Sequence, residues 1–111
     1  MYVIVWMFRP RPGRAAEFEW EYGPDGSWAA LFRGAPGYLG TDLLCAADAS
    51  GWYLTVDRWE SSAAYEAFRV ARQSEYDALD RACGGMTASE ERVGDYVRVE
   101  PPAEPARGLA H

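Results

Sequence analysis

The segment YLTVDRW, residues 53–59, followed by Glu60 and Ser61, concentrates the chemistry of this chain. Alternation along an extended segment sends Tyr53, Thr55, Asp57 and Trp59 to one face and Leu54, Val56 and Arg58 to the other. One face therefore mixes rings, a hydroxyl and a carboxylate. That mixture suits the wall of a small-molecule pocket, where Asp57 would orient or accept a phenolic proton and Trp59 would offer a stacking surface. It equally suits a packed core holding one hydrogen-bonded carboxylate, and alternation alone leaves both readings open. Trp6, Trp28, Phe32, Tyr65, Phe68 and Tyr76 can point at the same space, with Arg72 as a cation beside them. Aromatic residues make up 14% of the chain, jointly more than so small a core needs, so a ring-lined pocket with a few convergent polar groups is expected.

Other chemistry is poorly served. The only histidine is His111, the last residue, so no Ser-His-Asp set can be assembled and Cys83 has no imidazole to activate it. Asp25, Asp42, Asp48, Asp57, Glu90 and Glu91 do not follow a metal-loop spacing, and no metal site is expected. The EFEWEY alternation reads as a solvated acidic helix face.

The elements that would hold the face of Asp57 follow from pattern and punctuation. Residues 2–8 form a continuous β-branched and aromatic run closed by Arg9-Pro10-Arg11-Pro12-Gly13, which predicts a first strand. Phe18 and Tyr22 recur at helical spacing, the helix breaks at Gly23-Pro24-Asp25-Gly26, and it resumes with Trp28, Leu31 and Phe32. YLGTDLLCA predicts a second strand, turned at Asp48-Ala49-Ser50-Gly51 into the third as antiparallel neighbours. Ser61 or Ser62 caps the next helix, which carries Tyr65, Phe68 and Arg72, bends near Gln73 and Ser74, and stops at Gly84-Gly85. A last strand falls within 86–99, most clearly at RVGDYVRVE. The order βαββαβ is α+β and ferredoxin-like, with helices on one face of an antiparallel sheet. Val3, Val5, Met7, Leu54 and Val56 are too apolar to leave the other face wet, so a second copy of the chain is expected to cover it as a homodimer.

With 111 residues the chain fits one domain, expected over 1–99 with a flexible Pro-rich tail over 100–111. The net charge is −6 and the basic residues, all Arg, form no cluster, which argues against a nucleic-acid partner. Two cysteines make no disulfide framework, and the apolar start is too short to span a bilayer, so a cytoplasmic protein with no membrane partner is expected.

The stretches EYGPDGSWAALFRGAPGYLGTDLL (residues 21–44) and YLTVDRWESSAAYEAF (residues 53–68) resemble the antibiotic biosynthesis monooxygenase family, most specifically in Trp59-Glu60-Ser61 before a helix. The resemblance covers roughly residues 1 to 97 and implies that two ferredoxin-like chains close a dimeric α/β barrel. Each chain would keep its own pocket between sheet and helices, with Tyr53, Thr55, Asp57 and Trp59 as its floor. It further implies a monooxygenase that acts on a phenolic, quinol or polyketide-like aromatic compound without metal, flavin or other cofactor. Trp59 matches the family tryptophan; four residues before it, where the oxidising members carry Asn, stands Thr55. Asp57, Trp59 and Thr55 are thus the expected catalytic residues. Trp6, Trp28, Phe32, Tyr53, Tyr65, Phe68, Arg72 and Tyr76 are the expected ligand-binding residues. The other reading is a non-catalytic small-molecule-binding or assembly domain on the same fold.

Overall fold

A computed structural model describes residues 1–104. The expected character of the tail over 105–111, His111 included, lies outside the described residues. The chain runs β1 (Tyr2–Pro10), α1 (Ala15–Tyr22), α2 (Ser27–Arg33), β2 (Tyr38–Cys45), β3 (Tyr53–Trp59), α3 (Ser62–Ala71), α4 (Gln73–Cys83) and β4 (Thr87–Val97). The four strands form one antiparallel sheet in the order β2-β3-β1-β4. This is the α+β ferredoxin-like arrangement expected from the order of elements, with each helical crossover split in two. The last strand begins at Thr87, ahead of the stretch in which its pattern is clearest.

Local chemistry explains the breaks. Between α1 and α2 a Cβ on Gly26 would lie 1.9 Å from the Trp20 carbonyl oxygen, so only glycine permits the reversal. Ser61 caps α3 through its Oγ, which accepts from the Ala64 amide at 3.1 Å. The hairpin between β2 and β3 closes with the Asp48 carboxylate accepting from the Ser50 amide at 2.9 Å, and it holds Ala49 at φ 61° beside Gly51 at φ 85°.

Helices cover one face of the sheet. Ile4, Phe8, Tyr53 and Trp59 from that face pack with Phe18, Tyr22, Trp28, Phe32 and Phe68 into a single aromatic core. Fully burying one such ring contributes about 1.5–3 kcal/mol. On the opposite face Val3, Val5, Met7, Leu54 and Val56 are partly buried, and among the described residues no helix covers them. Leu44 and Tyr96 extend that surface at 52% and 51% exposure. Among the described residues no helix is long and apolar enough to cross a membrane.

Two irregularities set which residues share the helix face. In β2 the register shifts between Tyr38 and Gly40, so Tyr38 lies opposite Trp59 and Thr41 opposite Asp57. Two residues three apart thus point the same way, which regular alternation forbids. In the pairing of β1 with β4 the register slips between Val5 and Trp6, where Val5 faces Gly94 and Trp6 faces Arg92. Gly94 takes φ 157°, and Val93 is the extra residue. Beyond this bulge Phe8 lies opposite Glu90; an unbroken register would have put Glu91 there.

Candidate active site

The middle of β3 does not meet a helix directly. Between the sheet and α1, α2 and α4 lies a cleft of about 490 Å³, counting its open mouth, lined by Trp6, Phe8, Tyr22, Trp28, Phe32, Thr41, Thr55, Asp57, Tyr76, Asp80 and Glu90. Asp57 is its most unusual group. Burial pushes its carboxyl up to about 6, opposed only by one hydrogen bond, in which the Thr41 hydroxyl donates to Oδ1 at 2.7 Å. Since the Thr41 proton is used on Asp57, the Tyr38 hydroxyl 2.6 Å away donates to Thr41. The β2 bulge makes this chain of three possible. Among the described residues no arginine lies within ion-pair distance of Asp57, so it is not the structural partner of a cation.

The ring hydroxyls on the walls are donors. Burial drives the Tyr76 hydroxyl up to about 12 and the Tyr22 hydroxyl higher still, so both keep their protons at any working pH. Trp28 is 92% buried, since its exposure is 8%. Its indole Nε1 lies near the Tyr22 hydroxyl and the Cys83 thiol, yet makes no hydrogen bond of normal geometry. The cleft therefore combines flat apolar walls, several neutral donors and one carboxylate that titrates close to neutrality.

Of the residues expected at the site, Trp6, Trp28, Phe32, Thr55, Asp57 and Tyr76 line this cleft together. The others stand elsewhere. Trp59 shares the face of Asp57 but has 0% exposure, enclosed by Phe32, Tyr38, Tyr65 and Phe68. It is a core residue, with no ring surface to offer a ligand. Tyr53 packs on Phe18 and donates its hydroxyl to Glu19, tying the sheet to α1. The Tyr65 hydroxyl accepts from Arg69 at 3.0 Å, and its ring packs on Trp59. Phe68 and Arg72 border a separate groove between α3 and the Gly34–Gly37 segment, with Arg72 ion-paired to Glu75. The bend between α3 and α4 turns Arg72 away from the cleft.

Thr41, Phe8, Tyr22, Asp80 and Glu90 complete the walls. Thr41 was within reach of sequence reasoning, because pairing outward from the hairpin turn brings it opposite Asp57. Asp80 stands one helical turn beyond Tyr76 on α4 and so shares its face. Glu90 reaches the cleft only through the β4 bulge, whose one signal in the residue pattern is the isolated Gly94 within the strand.

A model of the family described as antibiotic biosynthesis monooxygenase matches residues 1–75. No curated protein matches the sequence. Among solved structures, SnoaB from Streptomyces nogalater, a cofactor-independent oxygenase, superposes with a TM-score of 0.72 at 22% identity, covering 93% of this chain and 97% of that one. PA3566 from Pseudomonas aeruginosa gives 0.64 at 19%, covering 89% and 94%. A candidate antibiotic biosynthesis monooxygenase from Deinococcus radiodurans gives 0.69 at 16%, covering 92% and 96%. At these identities the likeness is one of fold.

Proposed function

Because the chain belongs to the antibiotic biosynthesis monooxygenase family, we propose that it is a cofactor-independent monooxygenase of a phenolic, quinol or polyketide-like aromatic compound, with Asp57 as its proton acceptor. One observation carries this reading: a carboxylate raised to about 6 opens on a ring-lined cleft and has no cationic partner among the described residues. A phenol titrates near 10, as tyrosine does, so proton transfer to Asp57 spans roughly four pKa units, about 5 kcal/mol. To an ordinary carboxylate the same transfer would cost about 8 kcal/mol. Burial thus supplies part of the driving force, and the protonated hydroxyls of Tyr22 and Tyr76 on the walls are available to stabilise the resulting anion.

Once deprotonated, an electron-rich ring reduces dioxygen without help. The substrate loses two hydrogens, one from its hydroxyl and one from the ring carbon that meets dioxygen; one oxygen atom stays on that carbon as a carbonyl and the other leaves as water, with all four electrons drawn from the substrate. Asp57 takes a proton at the start and returns it to the departing oxygen. Thr41 keeps the Asp57 carboxylate aimed, and Thr55 adds a second buried hydroxyl beside it. In the same reading the uncovered face of Val3, Val5, Met7, Leu54 and Val56 packs on a second copy, and the domain spans 1–99.

Oxygen uptake with anthrone, hydroquinone and flavonoid substrates tests the enzyme. The expected result is one labelled oxygen in the product from labelled dioxygen and a rate that rises with pH through about 6. Asp57→Asn should abolish uptake while ligand binding persists. Binding without uptake by the natural protein would make the cleft a non-catalytic binding site and overturn the proposal.

A further inference from the structure

The charged side chains that line the cleft among the described residues are all acidic. Asp57 lies at its floor, while Asp80 from α4 and Glu90 from β4 are exposed at its rim. Among the described residues no arginine lines it, and Arg92 of β4, which pairs with Trp6, stands outside the lining. Arg72, the cation expected there, belongs to another groove. Arg69 is held outside, its guanidinium 3.8 Å from the centre of the Tyr76 ring and bonded to the Tyr65 hydroxyl. Among the described residues none of the three carboxylates takes part in an ion pair; Glu90 accepts only from the Thr87 hydroxyl, at 3.3 Å. Nor do they gather round one point, since no three acidic, cysteine or histidine side chains among the described residues form a metal-sized group. Between rim and floor stand Trp6, Tyr22, Trp28 and Tyr76, whose ring faces carry the negative end of the aromatic quadrupole.

We propose that this cleft selects aromatic ligands carrying a protonated amine over otherwise similar ligands carrying a carboxylate. Unpaired rim carboxylates and ring faces both attract an ammonium group, and among the described residues the walls carry no cation to pair with a ligand carboxylate. The geometry also orients such a ligand. Its ammonium sits at the rim between Asp80 and Glu90, and its hydroxylated ring lies on the aromatic walls above Asp57. This rests on the reading of the cleft as the site of a phenolic substrate and narrows that substrate to an amine-bearing one.

Three catechols of nearly equal shape separate the charges: dopamine, 4-methylcatechol and 3,4-dihydroxyphenylacetate. Calorimetric titration under nitrogen at about 10 mM salt, where the screening length is about 30 Å, should rank them in that order. Dopamine should bind on the order of tenfold more tightly than 4-methylcatechol, which corresponds to about 1.4 kcal/mol. At 1 M salt, where screening acts within about 3 Å, the spread should narrow to a few-fold. Asp80→Asn combined with Glu90→Gln should cut the preference for dopamine over 4-methylcatechol to about threefold or less, the remainder coming from the ring faces and Asp57. An acid that binds as tightly as 4-methylcatechol, or a dopamine preference that survives the double substitution undiminished, overturns the inference while leaving a neutral phenolic substrate intact. If none of the three binds, both the inference and the site it rests on fall.

Discussion

Replacing Asp57 by Asn should make the protein more stable at neutral pH while removing its activity. Asp57 titrates near 6 in the folded chain, whereas an unfolded aspartate titrates near 3.9. The folded state therefore holds the proton more tightly between these values, and wild-type stability falls as pH rises from about 4 to about 6. Above that window the loss is complete; below it there is none. A difference of roughly two pKa units corresponds to about 3 kcal/mol, and the opening of the carboxylate on the cleft reduces this to about 1–3 kcal/mol. Asparagine keeps an oxygen to accept from Thr41 and carries no charge to desolvate. Urea unfolding of both proteins from pH 4 to 8 should give equal stabilities near pH 4, diverging through pH 6. By pH 7.5 the variant should lead by that margin, with a melting temperature higher by roughly 4–12 °C. A variant less stable than wild type at pH 7.5 would mean that the anion of Asp57 is favourably held by the fold, and the argument for a high-energy base would collapse.

Two further substitutions probe residues on either side of the sheet. Trp59→Ala should cost about 3–5 kcal/mol. Trp59→Phe should cost only about 1–2 kcal/mol, because the indole N–H it removes has no partner. Ligand affinity should stay within about twofold in the Phe variant, by titration, because Trp59 does not line the cleft; weaker binding at unchanged stability would place Trp59 in the site after all. Val56 lies between Val5 and Asp42 on the uncovered face. Val56→Glu should convert a dimer to a monomer in sedimentation at micromolar concentration, since the cation close by, Arg58, already pairs with Asp42 at 3.4 Å and a second acid there would be buried without a counterion of its own. A monomeric wild-type protein, or a variant dimer of equal affinity, would contradict the assignment of that face.

The order of strands and helices could be read from the chain because each boundary is punctuated chemically, by Pro10 and Pro12, by Gly23 to Gly26, by Asp48 to Gly51 and by Gly84-Gly85. The side of the sheet on which Asp57 lies follows from alternation. What alternation does not encode is depth along the strand. Asp57 and Trp59 share a face, yet Tyr65 and Phe68 from α3 close over Trp59, while the helices stand away from Asp57. Arg72 misleads for a related reason: it ends one helix and begins another, so helical spacing from Phe68 does not carry across it. Glu90 and the pairing of Tyr38 with Thr41 depend on bulges, and single-residue slips of register leave little trace in the residue pattern.

The sheet order also has a temporal side. β1 leaves the ribosome before the other three strands of its sheet and lies inside that sheet, between β3 and β4. Its run Tyr2 to Phe8 has no charge and no proline, the composition that pairs most readily with a copy of itself. Synthesis proceeds at about 5–20 residues per second. One edge of β1 thus stays open for a few seconds between completion of Trp59 and arrival of Thr87. The strand that then seals it carries Glu90, Glu91, Arg92 and Asp95, so the outermost edge on that side is strongly charged once β4 has docked. A nascent chain stalled before Thr87 would present the most adhesive strand of the molecule without its charged cover, and crowded polysomes are where such a chain would aggregate.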